Sequence, residues 1–294
     1  MVEVVGTAPT SAMFITKFVY RYSWKTNKNN IKLCLKNSIY LKIISMNINK
    51  LKNFYKKNGY FVYKIDKKLV HKARKEFTKV FSILSTNHNR AKIFNDRDII
   101  KLYKSKRKDL WAASYDILKL HPSLYAICNS KNFQDILKIA DIKQPCFIKQ
   151  PVVRVDMPFD KNFYFKSHQD QPYNYSGSSN SITIWTPLQN TDVKTGTLKI
   201  VEKSHKNKKT YKYSLDNKKY NIDLVRELKK ETNFKNYYKI SLNDKEFNFK
   251  SINVKAGEVL VFSHYLVHKS GINKSNKIRF STQFRYTDLS EAIL

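Results

Sequence analysis

From Pro145 onward the chain alternates apolar and polar residues in short runs parted by turn residues: FIKQPVVRVDMP, SITIWTPLQ, GTLKIVEKS, GEVLVFSHYLVH and IRFSTQFRYTD. A period of two sends successive side chains to opposite faces of a strand, and several such runs at modest spacing predict a sandwich, jelly roll or barrel. Residues 66–142 follow another period. In DKKLVHKARKEFTKVFSIL, Leu69, Ala73, Phe77, Phe81 and Leu84 recur every three or four positions, which predicts a helix with one apolar face. SLYAICNSKNFQDILKIADI repeats the pattern less cleanly. Helices over about 66–142 therefore precede a β core over about 145–290.

The ends and one insertion depart from this scheme. MNINKLKNFYKKNGYFVYKI, from Met46, reads as a short helix ending near Gly59 and a strand from Tyr60 to Ile65. Residues 1–45 show no clear period and read as an extension, either disordered or outside the functional protein, ahead of a single domain over 46–294. Between the β halves, residues 206–250 form a lysine-rich insertion in which NIDLVRELKKE reads as partly helical. Insertions of this length serve as lids or as solvated excursions.

Composition narrows the classes. At 294 residues and 41% hydrophobic, the chain can bury one large core. Cys34, Cys128 and Cys146 are odd in number and lack a C-x-x-C spacing, so no disulfide framework or thiolate zinc site is indicated and a cytoplasmic location fits. No run approaches the roughly 18 apolar residues of a membrane-spanning helix. The formal charge of +33, from 56 Lys and Arg against 23 Asp and Glu, is mostly lysine scattered among Asn, Ile and Tyr, with no arginine-rich stripe. It reads as a solvated surface, not a nucleic-acid partner, or as steering for an anionic small-molecule substrate.

Chemistry is concentrated in SHQDQPYNY. On an extended segment His168 and Asp170 project to the same side and can grip one metal ion. Imidazole with carboxylate suits Fe(II), Mn(II) or Zn(II). A lone H-x-D also describes a hydrogen-bonded histidine beside a turn, so a third ligand decides the matter. The apolar run GEVLVFSHYLVH, read as one strand ending in His268, supplies it. His264 would share that face; His268 is preferred because Ser270 follows two residues on and Arg279 eleven residues on, in the returning strand. Arg279, Ser281, Gln283 and Arg285 alternate with Phe280, Thr282, Phe284 and Tyr286, which predicts an aromatic face on the core and a polar face lining the site.

The segments HQDQPYNY, NSITIWTPLQNTD, GTLKIVEKSHK, GEVLVFSHYLVHKSGINKS and RFSTQFRYTD, in that order and with FYKKNGYFVYKI near the start, resemble the phytanoyl-CoA dioxygenase family over most of 46–288. The resemblance implies a mainly β fold with N-terminal helices, the double-stranded β-helix or cupin-like jelly roll. It implies an oxidoreductase that consumes dioxygen and 2-oxoglutarate at Fe(II), with ascorbate in support, and hydroxylates a small molecule while releasing succinate and CO2. It assigns His168, Asp170 and His268 to iron, Arg279 and Ser270 to the far carboxylate of 2-oxoglutarate, and Trp185 to a place near it. Arg285, Gln283, Arg154 and Gln150 fall in the substrate pocket. Lys166 stands where relatives often carry an aromatic residue, and VEKSH stands where PGSH is usual. Asp170, in place of the small residue of related halogenases, points to hydroxylation. The rival readings are a non-catalytic β-sandwich binding anionic ligands or nucleic acid, and a cupin-type metal hydrolase or isomerase.

Overall fold

Gly59 ends the first helix and turns the chain into the sheet. Its φ of +84° is one that glycine adopts without cost, and a Cβ there would come within 2.4 Å of the His205 ring. The computed structural model describes residues 48–85, 95–160, 164–173, 178–215, 218–220 and 241–291. The chain divides after Ser45, and the described residues belong to the second unit. The extension over 1–45 and the helix read in NIDLVRELKKE lie outside the described residues.

Helix α1 spans 48–58 and strand β1 spans Tyr60–Lys64. Five helices follow: α2 Lys67–Ser85, α3 Asp96–Lys104, α4 Lys108–Lys119, α5 Pro122–Cys128 and α6 Lys131–Ile139. The strands are β2 Pro145–Phe147, β3 Val152–Asp156, β4 Ser181–Pro187, β5 Lys199–Ile200, β6 Tyr213–Leu215, β7 Lys218–Tyr220, β8 Lys250–Ser251, β9 Glu258–Ser263, β10 His268–Lys269 and β11 Arg279–Asp288. The larger sheet runs β1-β9-β4-β11-β2 with β3 also on β11; β10, β5 and β8 form a second sheet, and β6 pairs β7. All these pairings are antiparallel.

The architecture is a mix of helix and antiparallel sheet, richer in helix than the mainly β expectation. A sheet with one apolar face must bury it against another layer, and here helices supply that layer. Phe280 and Phe284 point from β11 into it: the Phe280 ring lies 6.1 Å from Phe77 and 5.9 Å from Phe81, and Phe284 lies 5.2 Å from Phe133. On α2 the buried face is Val70, Ala73, Phe77 and Phe81, with Leu69 and Leu84 half-buried at its margin, so the face is turned slightly from the one the spacing predicted.

The opposite face of the larger sheet packs on the smaller one. Trp185 of β4 and Leu260 and Phe262 of β9 join Leu198, Ile200, Val254 and Leu266 in a second apolar cluster. The alternation predicted for β11 holds: Phe280, Phe284 and Tyr286 belong to the helix-side core, while Arg279, Ser281, Gln283 and Arg285 face away from it. The expected single strand GEVLVFSHYLVH does not form. β9 stops at Ser263, a turn carries His264 to Val267, and His268 opens β10 in the other sheet. A regular strand would have kept both histidines in one sheet; the turn transfers the second to its neighbour.

Phe280→Ala removes a ring buried between two aromatics of α2, and should lower stability by about 3–5 kcal/mol. Val193→Ala, at a site 61% exposed, should change it by less than about 0.5 kcal/mol. Denaturant unfolding of the two variants checks the contrast.

Candidate metal centre

His168 and His268 face each other across the seam between the segment 164–173 and β10. Each backbone N–H donates to the other residue's carbonyl at 2.9 Å, so the two residues form one directly opposed antiparallel pair, with imidazole centroids 4.3 Å apart. Asp170 returns to the same side two residues after His168. Its Oδ1 lies 3.7 Å from Nε2 of His168 and 4.0 Å from Nε2 of His268, and the three ligating atoms lie within 4.8 Å of one another.

The surroundings fix which atoms face the ion. Nδ1 of His168 lies 2.7 Å from the Lys166 carbonyl and Nδ1 of His268 lies 2.9 Å from the Leu266 carbonyl. A carbonyl only accepts, so each Nδ1 carries the proton and each Nε2 keeps its lone pair for a metal. Oδ2 of Asp170 accepts from Thr183 Oγ1 and lies 3.5 Å from Nε of Arg285, while Oδ1 is the oxygen turned toward the two imidazoles.

Electrostatics agree with that division. Burial, and then the neighbouring His268, push the His168 imidazole down to about 3, and burial likewise lowers His268. Burial works against ionisation of Asp170, but Arg285 and then the imidazoles around it hold its carboxyl well below the usual range. Two neutral imidazoles and a carboxylate are a donor set that would fit a divalent first-row ion.

His264 is also buried, with its imidazole pushed down to about 4 chiefly by burial, yet it stands outside the three-ligand group. Its backbone ties elements together instead: its N–H donates to Ser181 of β4, and its carbonyl accepts from Gln171. Gln169, between the two ligands of the H-x-D, points elsewhere and donates to the carbonyls of Lys209 and Tyr265 at 2.8 and 2.6 Å.

The second expected anchor, Arg279, is 2% exposed and engaged. Its Nη2 lies 2.8 Å and its Nε 3.1 Å from Oδ2 of Asp156, and Nη1 donates to the Gly271 carbonyl at 3.3 Å. Arg154 Nη2 takes the other Asp156 oxygen at 2.8 Å. Although burial opposes it, the two arginines hold the Asp156 carboxyl down to about 2, so the cluster carries one excess positive charge. Ser270 is buried, its N–H bonded to the Phe165 carbonyl. Trp185 shares the Thr183 face of β4 but lies in the apolar cluster between the sheets. Gln283 accepts from Nη2 of Arg285, and Gln150 lies exposed before β3. Asp156 and Thr183 were not singled out from the sequence; the alternation of VVRVD and SITIW, which puts Asp156 beside Arg154 and Thr183 beside Trp185, is the signal that carries them.

Thr183→Val, which keeps the shape and removes the proton that occupies Oδ2, should weaken divalent-metal binding by about 10- to 100-fold, the usual cost of losing a group that orients a ligand. Competition with a chromophoric chelator measures it.

The phytanoyl-CoA dioxygenase (PhyH) model matches residues 49–281. EvdO2 from Micromonospora carbonacea var. aurantiaca, solved with 2-oxoglutarate, is 12% identical with a TM-score of 0.52, over 81% of this chain and 90% of that one. EctD from S. alaskensis, solved with bound Fe, is 13% identical with a TM-score of 0.52, over 82% and 77%. These likenesses speak for a shared fold. No curated protein matches the sequence. With a match across most of its length and a His-Asp-His centre in place, the chain belongs to the phytanoyl-CoA dioxygenase family of 2-oxoglutarate-dependent oxygenases.

Proposed function

We propose that residues 46–294 form one Fe(II)- and 2-oxoglutarate-dependent dioxygenase domain on a double-stranded β-helix, preceded by an extension over 1–45, and that it hydroxylates a small molecule with release of succinate and CO2. The observation that carries this reading is the geometry of the triad: each imidazole gives its Nδ1 to a main-chain carbonyl and turns Nε2 toward Oδ1 of Asp170, at 3.7 and 4.0 Å. A purely structural histidine pair would spend that nitrogen on a hydrogen bond. The sheet supports the fold assignment, because its second face closes over the smaller sheet with the metal centre at the seam.

His168, Asp170 and His268 would hold the iron, whose reaction with dioxygen and 2-oxoglutarate supplies the oxidising equivalents for C–H hydroxylation, with ascorbate keeping it ferrous. The chain's own residues bind and orient. The excess positive charge of the Arg154, Asp156 and Arg279 cluster receives the far carboxylate of 2-oxoglutarate, with Ser270 beside it, and arginine's planar fork suits that task. Arg285, whose Nη1 is buried without a hydrogen bond beside Asp170, is the donor for the carboxylate at the metal end, and Gln283 holds its other arm. The Phe262 ring, 4.5 Å from the His268 imidazole, gives the centre an apolar wall against water. Among the described residues no helix is long and apolar enough to cross a membrane. The free thiols of Cys128 and Cys146 suit a reducing cytoplasm.

Under anaerobic conditions, Fe(II) and 2-oxoglutarate added together should give the visible charge-transfer absorption of a chelated 2-oxo acid. Asp170→Ala should abolish it. Arg279→Gln should raise the concentration of 2-oxoglutarate that develops it by about thirtyfold or more, the cost of truncating a buried charge partner. Wild-type protein that shows no such band, and forms no succinate in air, would sink the reading.

A further inference from the structure

Arg279 does not stand alone on its strand. Asp156, directly opposite it in the β3–β11 register, occupies the Nε and Nη2 edge of the guanidinium through a single oxygen, and the Gly271 carbonyl holds Nη1. The backbone around it is close: a Cβ on Gly196 would fall 2.7 Å from Nη1 of Arg279 and 2.7 Å from the Gly271 carbonyl. The other Asp156 oxygen is held by Arg154, whose guanidinium carbon lies 4.4 Å above the Phe165 ring. That ring in turn lies 5.8 Å from the imidazole of His168. An unbroken line of contacts therefore runs from a metal ligand to the anchor: His168, Phe165, Arg154, Asp156, Arg279.

We infer that Phe165, Arg154 and Asp156 are positioning residues that set the distance between the metal and the Arg279 fork, and so select a five-carbon 2-oxo diacid over its shorter and longer homologues. The inference rests on the assignment of 2-oxoglutarate to this site. Its physical content is that a guanidinium held by Asp156 at Nε and Nη2, and by the Gly271 and Thr195 carbonyls at Nη1, is fixed at one depth and in one orientation. A diacid that chelates metal at one end must then match that depth with its other carboxylate. One misplaced ångström in such a clamp is worth up to about 100-fold. Arg154 keeps Asp156 from turning toward Arg279 alone, and Phe165 ties Arg154 to the segment that carries two ligands.

The test is calorimetric titration of the Zn(II)-loaded full chain with oxaloacetate, 2-oxoglutarate and 2-oxoadipate. Wild type should bind 2-oxoglutarate about tenfold or more tighter than either homologue. Asp156→Asn should weaken 2-oxoglutarate about tenfold and shrink its lead over 2-oxoadipate to below about threefold, with Asp156→Glu recovering part of that lead. Phe165→Leu, at a half-buried ring that folding tolerates, should narrow the lead in the same direction and keeps the test open if Asp156→Asn does not fold. A merely structural role would lower stability and leave the ratio of the three affinities where it was. Variants that fold and keep the wild-type ratio overturn the inference while leaving the oxygenase reading intact. Tighter 2-oxoglutarate binding by Asp156→Asn also overturns it, since Asp156 would then be a competitor for Arg279. Wild type that takes no 2-oxo diacid removes the oxygenase reading and the inference together.

Discussion

The centre depends on one mutual hydrogen-bonded pair, His168 with His268. Two backbone bonds contribute only about 1 kcal/mol each, yet they join a segment outside both sheets to the first residue of β10 and set the two imidazoles side by side. The turn after β9 makes the pairing possible. His264 binds β4 through its N–H and the H-x-D segment through its carbonyl, so the larger sheet, the ligand segment and the smaller sheet are registered against one another by one residue. The chemistry of that side chain is secondary to its place in the backbone.

The interior face of the sheet holds charge where a stable protein would hold hydrocarbon. Asp156, Asp170, Arg154 and Arg279 are each at least nine-tenths buried or nearly so, and taking such ions from water costs several kcal/mol apiece. Pairing offsets this without making it favourable, so stability has to come from elsewhere. It comes from the helix side, where Phe77, Phe81, Phe133, Phe280 and Phe284 are fully buried. β11 joins the two regimes: alternate residues of one strand anchor the core and equip the site, and a slip of one position would exchange them.

Much of this was legible from period alone. The strand faces, the helical layer, the turn at Gly59 and the meeting of His168, Asp170 and His268 follow from spacing and residue chemistry. What escaped has a common cause. The break in GEVLVFSHYLVH is held by tertiary hydrogen bonds of His264 with Ser181 and Gln171 together with a local turn at Ser263, whose side chain accepts from the Tyr265 N–H. Asp156 and Thr183 looked like ordinary alternating residues because their meaning is set by the strand opposite. The rotation of the α2 face is of the same kind, decided by where Phe280 stands rather than by the helix.

Both metal-facing imidazoles are steered by a main-chain oxygen two residues earlier, at Lys166 and Leu266. A carbonyl is present whatever side chain is attached to it. The orientation of the two rings is thus written into the backbone, and it places no demand on the side chain at 166, although Leu266 is held by its place in the apolar cluster. An exposed lysine at 166 supplies the carbonyl that sets the tautomer of His168 without its own side chain taking part in that bond.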